Sequence, residues 1–230
     1  MKAKIFTCVA IFFIVFTQAS GQGRLRADTR VHPGLAAGVG LNTILGKDYW
    51  GENLDNKFLL VFNAGADLNI PLPFIPDLYV QPGLLFSVKG ARQDIITDDI
   101  TKTVKLSYIE VPVNVLFRPQ LGDGHLLVGA GPYAAYGILG KERTKTGAII
   151  TELSVKFTNE AIDKPTSYVY YRGLDAGANI FAGYELFNGI FFQLNVQAGL
   201  LSINSDYGLP NDKTAKRNFG FGLSAGYRFQ

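Results

Sequence analysis

Seven ionisable residues stand inside stretches that otherwise alternate apolar and small side chains: Asp67, Lys89, Glu110, Arg118, Asp175, Glu185 and Arg228. Each shares its face of the alternation with Asn, Gln, Ser or Gly, which makes the set a candidate interior polar network. Glu110 with Arg118 or Arg228 would form either a proton or ion relay or an ion-paired lock. A charge taken out of water is costly unless paired, and that cost favours the lock. Other reactive groups are scarce, with two His and one Cys in 230 residues. Asp94, Asp98 and Asp99 could offer oxygen ligands to a divalent cation, but their spacing matches a calcium loop only loosely and reads better as a solvated loop tip. Gly38-Val39-Gly40 and Gly129-Ala130-Gly131 lack the following helix of a phosphate-binding turn. The expectation is a chain without catalytic residues, resident metal or cofactor.

Composition narrows the classes further. Apolar residues make up 47% and charged residues 18% of the chain, and the net charge is only +3, which argues against disorder and against nucleic acid as a partner. Lys2 and Lys4 precede the apolar run from Ile5 to Phe16, and Ala19 and Gly21 stand at the small positions of a signal-peptidase site. This predicts a signal peptide over residues 1–21, a periplasmic lead over 22–33 and one domain over 34–230. Cys8 lies within the signal, so the mature chain would hold neither a disulfide nor a lipid-anchored Cys.

From Gly34 onward, the dominant period is two. In the last stretch Phe219, Phe221, Leu223, Ala225, Tyr227 and Phe229 alternate with small or polar residues, and Ile190 to Leu200, Ile109 to Phe117, Phe58 to Leu68, Leu78 to Val88 and Leu174 to Ala182 behave alike. With weaker runs at Leu35–Ile44 and Leu126–Ile138, these predict eight strands. Long polar connections (Leu45–Lys57, Gly90–Lys102, Leu139–Tyr171, Asn204–Lys216) alternate with short turns (Pro71–Pro76, Pro119–Gly124, Phe187–Gly189). The fold class expected is therefore all-β, an eight-stranded antiparallel up-and-down transmembrane β-barrel with its termini at the short-turn end. His32 then falls in the lead and His125 at a short turn, away from the long outer loops where a catalytic imidazole would be needed.

A soluble lipocalin-like ligand carrier could also be an eight-stranded barrel, with the opposite polarity: apolar inside and charged outside. Here the polar face carries too few charges, of mixed sign, to solvate a free surface, and it suits an internal network. Phe58, Tyr79, Phe86, Phe117, Phe187, Tyr227 and Phe229 lie near strand ends as candidates for interfacial girdles. Within Leu139–Tyr171, Ile149, Ile150, Leu153, Val155 and Phe157 follow Lys141, Arg143 and Lys145. That pattern suits a β-ribbon above the membrane, able to meet a partner by strand addition or lipopolysaccharide phosphates through its basic base.

The segment Leu106-Ser107-Tyr108-Ile109-Glu110-Val111-Pro112-Val113 resembles the Tyr-Leu-Glu-Ile-Pro strand of the PorT-like outer-membrane β-barrel family. The hairpin over Leu78–Lys89, the segment Val128–Tyr136 and the terminal Phe219–Phe229 are similar to that family in order and spacing, so the resemblance spans nearly the whole mature chain. It implies residence in the outer membrane of a Gram-negative bacterium and insertion by the barrel-assembly machinery. The founding member is linked to protein secretion. The function expected is non-enzymatic: a structural or partner-binding role in the cell envelope, with lipid, lipopolysaccharide and an envelope protein as partners. Small-solute transport or gating through the barrel is the alternative.

Overall fold

A computed structural model describes residues 30–95, 100–162 and 164–229. The expected signal peptide and most of the lead lie outside the described residues, as do Asp98 and Asp99. No described residue is helical. Ten strands follow in order: β1 (His32–Lys47), β2 (Leu59–Pro71), β3 (Leu78–Ile95), β4 (Ile100–Phe117), β5 (Gly124–Thr146), β6 (Ile149–Phe157), β7 (Tyr168–Tyr171), β8 (Leu174–Leu186), β9 (Ile190–Gly199) and β10 (Ala215–Arg228). Eight close a ring, with β1 to β5 in sequence, then β8, β9 and β10 back to β1. Every contact around the ring is antiparallel. The remaining two belong to the long third connection: β6 folds back on the upper part of β5, and β7 runs parallel to β6.

Closure follows from the alternation. Leu35, Val39, Leu60, Phe62, Val111, Val113, Ile180, Leu194, Phe221 and Leu223 are exposed on the outer wall, while their sequence neighbours point into the lumen. On β10 the outward run from Phe219 to Phe229 is bounded above by the exposed Arg217. At roughly 3.3 Å per residue and a tilt near 40°, that run covers about 25 Å of hydrocarbon. A soluble carrier needs the reverse polarity, so the exposed apolar wall overturns the lipocalin-like alternative.

The strands outrun the apolar belt at the end away from the short turns. The segment Gly90–Lys102, expected as a polar loop, is mostly strand: β3 and β4 stay paired from Gly90↔Lys105 up to Ile95↔Ile100. The expectation failed because polar residues there occupy the outer wall while Ala91, Val104 and Leu106 fill the inside. These three join Ile44, Tyr108, Tyr133, Ala135, Val155, Tyr171 and Ile203 in one apolar cluster that caps the lumen. A smaller cluster of Tyr79, Leu116, Leu127, Phe181 and Phe191 fills the short-turn end. Tyr79 therefore does not belong to a girdle. It shares the inward parity of Gln81, and it is buried. Gly226 shows how tightly this end is filled, since a Cβ there would lie 2.3 Å from the Phe191 ring.

β1 begins at His32, inside the segment expected as a lead. The β3–β4 ladder is interrupted between Pro82↔Val113 and Leu85↔Glu110. The β4–β5 ladder is open between Pro112↔Tyr133 and Val115↔Ala130. Pro82, Pro112 and Pro132 lie in or beside these gaps, and a proline has no N–H to give the ladder.

Candidate functional site

The lumen holds two charge centres on separate levels. In the upper one, Lys89 of β3 reaches Glu110 of β4 at 2.9 Å and Asp175 of β8 at 3.0 Å. Two strands stand between β3 and β8 in the ring, so the Lys89–Asp175 bond ties the barrel across its interior. Neutral donors satisfy the remaining carboxylate lone pairs. Gln197 Nε2 donates to Glu110 at 2.6 Å, Ser87 Oγ to its other oxygen at 3.3 Å, Asn218 Nδ2 to Asp175 at 3.0 Å, and the Tyr133 hydroxyl to Asp175 at 3.3 Å. The Lys89 ammonium also lies 4.1 Å from the Tyr133 ring centroid. Every one of these side chains points inward like Glu110, which is how period two on six strands assembles a single centre.

In the lower centre, Arg118 donates through Nη2 to Glu185 Oε1 at 2.6 Å and through Nε to Oε2 at 3.2 Å, a two-point fork. Arg228 is paired with Asp67, and its Nε lies 3.9 Å from Glu185. The guanidinium of Arg228 stacks 5.1 Å from the Phe191 ring centroid. Asp67, Lys89, Glu110, Arg118, Asp175, Glu185 and Arg228 thus all stand in the lumen, divided between two centres. The expected bond from Glu110 to Arg118 or Arg228 is not formed. Arg118 directly follows the end of β4, about 26 Å along the chain from Glu110 at the usual rise, and Lys89 is the cation within reach of Glu110. Tyr133, Gln197 and Asn218 complete the network as neutral donors, and their inward parity alone marks them for it.

Between the two centres lies a cavity of about 140 Å³, lined by Asn63, Gln81, Asn114, Asn179, Gln193 and Asn195 among others. The amides form a directional chain. Gln81 Nε2 donates to Asn69 at 2.9 Å and towards Asp67 at 3.5 Å, and Gln81 Oε1 accepts from Asn114 Nδ2 at 3.2 Å. Because the carboxylate of Asp67 can only accept, the direction of the chain is set from its foot. Asn114 Oδ1 is left without a partner, as is Asn179 Oδ1.

Outside the membrane, Asp94 on the rising β3–β4 hairpin is bonded by Arg92 at 2.8 Å and by Lys57 at 3.0 Å. The Arg92 guanidinium first, and Lys57 second, hold its carboxyl down at about 2. A carboxylate so engaged anchors the hairpin. Lys216, under the rim and 5.4 Å from the Tyr171 ring centroid, has its ammonium pushed below the usual range by burial and by Lys102, against the pull of Glu142 and Asp212. Among the described residues no group of three or more His, Cys, Asp or Glu is placed to hold a metal.

The outer membrane protein beta-barrel domain family matches residues 17–205. The chain belongs to that family. In structure it is similar to Ail, the attachment invasion locus protein of Yersinia pestis, solved with the heparin analogue sucrose octasulfate, at 15% identity over 87% of this chain and 99% of that one, with a TM-score of 0.39. Neisserial surface protein A is similar at 10% identity over 86% and 96% of the two chains, with a TM-score of 0.39. An outer membrane channel from Pseudomonas putida F1 is similar at 12% identity over 91% and 99%, with a TM-score of 0.31. These likenesses are too distant to carry a role across. Among curated proteins, none matches the sequence.

Proposed function

We propose that this chain is a non-enzymatic barrel of the Gram-negative outer membrane, exported by a cleaved signal peptide and inserted by the barrel-assembly machinery, whose work is done on its outer crown. The observation that carries this reading is the double closure of the lumen. An apolar cluster caps one end, a fork of two arginines and Glu185 with packed aromatics fills the other, and the cavity between them is small. A barrel filled in this way offers a partner its outside rather than its inside.

The crown supplies surfaces for two kinds of partner. β6 is covered by β7 only over Ser154–Phe157, so the edge from Ile149 to Leu153 faces no strand on that side among the described residues. Ile149, 71% exposed at that edge, and Trp50, 75% exposed in the β1–β2 connection, offer apolar contacts to an envelope protein. Lower down, Lys105 and Lys141 are directly opposed in the β4–β5 ladder, both exposed, just above the apolar belt. Like charges so placed repel, and lipopolysaccharide phosphates would relieve the repulsion. The resemblance to PorT-like barrels accords with an envelope complex as the setting.

Planar-bilayer recording of the reconstituted chain tests the central claim. The expected result is no discrete conductance steps. Steady steps in the unmodified protein would move the function to the lumen and make transport of a small solute the better account. For the lipid surface, exchanging Lys105 and Lys141 for Gln should erase the extra thermal stability that lipopolysaccharide gives over phosphatidylcholine; an undiminished gain would remove this lysine pair from the proposal.

A further inference from the structure

The charges of the lumen do not balance. Four carboxylates, Asp67, Glu110, Asp175 and Glu185, face three cations, Lys89, Arg118 and Arg228. The ion-paired groups of the lower centre balance, with two of each sign. The upper one is not, because Lys89 serves both Glu110 and Asp175, and one negative charge is left over beside the cavity. Lys102, Glu142 and Lys216 lie higher on the same strands, in the crown, and Asp77 beside Arg118 is a further acid. A surplus charge in a closed interior is expensive and calls for a counter-charge.

The second observation concerns oxygens. Asn114 Oδ1 and Asn179 Oδ1 are both buried without a hydrogen-bond partner, both residues line the cavity, and Asn114 is only 6% exposed. They stand on either side of Gly131. Asn179 is its register partner on β8, and a Cβ on Gly131 would lie 2.9 Å from Asn114 Oδ1 on β4. Having no Cβ, the glycine lets the β4 backbone at Val113 and Asn114 lie close against β5. Asn179 is also the register partner of Gln197, whose amide is bonded to Glu110. The site with spare oxygens and the centre with spare charge are therefore linked by one side chain.

Water alone would satisfy the oxygens and leave the charge; a proton on a carboxylate would settle the charge and leave the oxygens. A small monovalent cation does both. We propose that the cavity binds one partly hydrated monovalent cation, sodium or potassium, between Asn114 and Asn179, as the counter-ion of the Lys89–Glu110–Asp175 centre. A single surplus charge and neutral amide oxygens suit such an ion better than a divalent one. Its space of about 140 Å³ also admits several waters at roughly 30 Å³ each.

The test is thermal unfolding of the full chain in detergent, followed by heat-modifiable gel mobility. Sodium or potassium chloride is titrated against N-methylglucamine chloride at constant ionic strength. The expected result is a midpoint that rises with the logarithm of cation concentration above the dissociation constant, roughly 3 to 6 °C for each tenfold. Asn114→Leu, nearly isosteric, and Glu110→Gln, which removes the surplus charge, should each flatten the titration. A midpoint indifferent to the cation, or a rise that persists unchanged in both variants, overturns the proposal. Should either variant fail to fold, crystals of the unmodified protein grown with thallium(I) decide the matter: an anomalous peak between Asn114 and Asn179 supports the site, and none there refutes it.

Discussion

Two levels of one strand show how the molecule is organised. Near the top of β4, Val104 and Leu106 point inward to an apolar cluster while Lys105 points out. Further down, Glu110 and Asn114 point inward to hydrogen bonds while Ile109, Val111 and Val113 point out. The parity of the strand is the same at both levels; only the chemistry has been exchanged. In the crown the outside is water, so apolar side chains go inside, as in a soluble domain. At mid-belt the outside is lipid, no apolar surface needs hiding, and the inside is left to polar groups that must satisfy one another. Each level obeys the solvent it meets.

The greatest damage should come from unpairing the lower centre. Glu185→Ala would take the ion-paired carboxylate from Arg118 and leave Arg228 with Asp67 alone, at a cost of about 3 to 5 kcal/mol, because a buried charge loses its partner and not merely a bond. Urea unfolding in lipid vesicles reads this directly. A loss below about 1 kcal/mol would mean that water reaches the lower centre and that the barrel is not closed there.

Cavity formation in the crown should cost nearly as much but act elsewhere. Leu106→Ala removes a fully buried side chain from the upper cluster, with an expected penalty of about 2 to 5 kcal/mol. Because the crown's core is its own, the loss should show as faster protease cleavage in the β5–β6 ribbon, with the gel mobility of the barrel little changed. If instead the barrel loosens at the same temperature as the crown, the two levels form one cooperative unit.

A third change tests the outer faces. Leu223→Arg places a charge mid-belt on the lipid wall and should cost about 2 to 4 kcal/mol, whereas Ile149→Arg, exposed at the ribbon tip, should cost under about 0.5 kcal/mol. Equal costs would erase the distinction between a wall facing lipid and one facing water.

The same distinction explains what the sequence made legible. Belt strands announce themselves because lipid demands apolar residues at every second position, as from Phe219 to Phe229, and because inward charges such as Asp175 stand out against that background. Crown strands do not. Between Gly90 and Lys105 polar residues crowd the solvent side, and the few apolar ones inside are indistinguishable from loop residues until a partner strand is placed beside them. Ion-pair partners were hidden for another reason. That Glu110 meets Lys89 and not an arginine depends on stagger between strands, which no single strand's pattern contains.

The smallest effect lies at the tip of the crown. Asp94 joins Lys57 and Arg92, and since its folded carboxyl sits at about 2, below its ordinary 3.8, the contacts add stability that is complete above pH 4 or so and is lost as pH falls through about 2. The pairs are open to solvent and salt screens them, so the loss should be local. Amide exchange at Arg92–Asp94 is expected to quicken below pH 3 relative to Ile109–Val113 in the belt, after correction for the intrinsic rate. Asp94→Asn should remove that pH step while leaving the belt unchanged. A belt that loosened over the same interval would show that acid reaches the lumen carboxylates as readily as the crown's, and the separation of the two levels would fail at its most sensitive point.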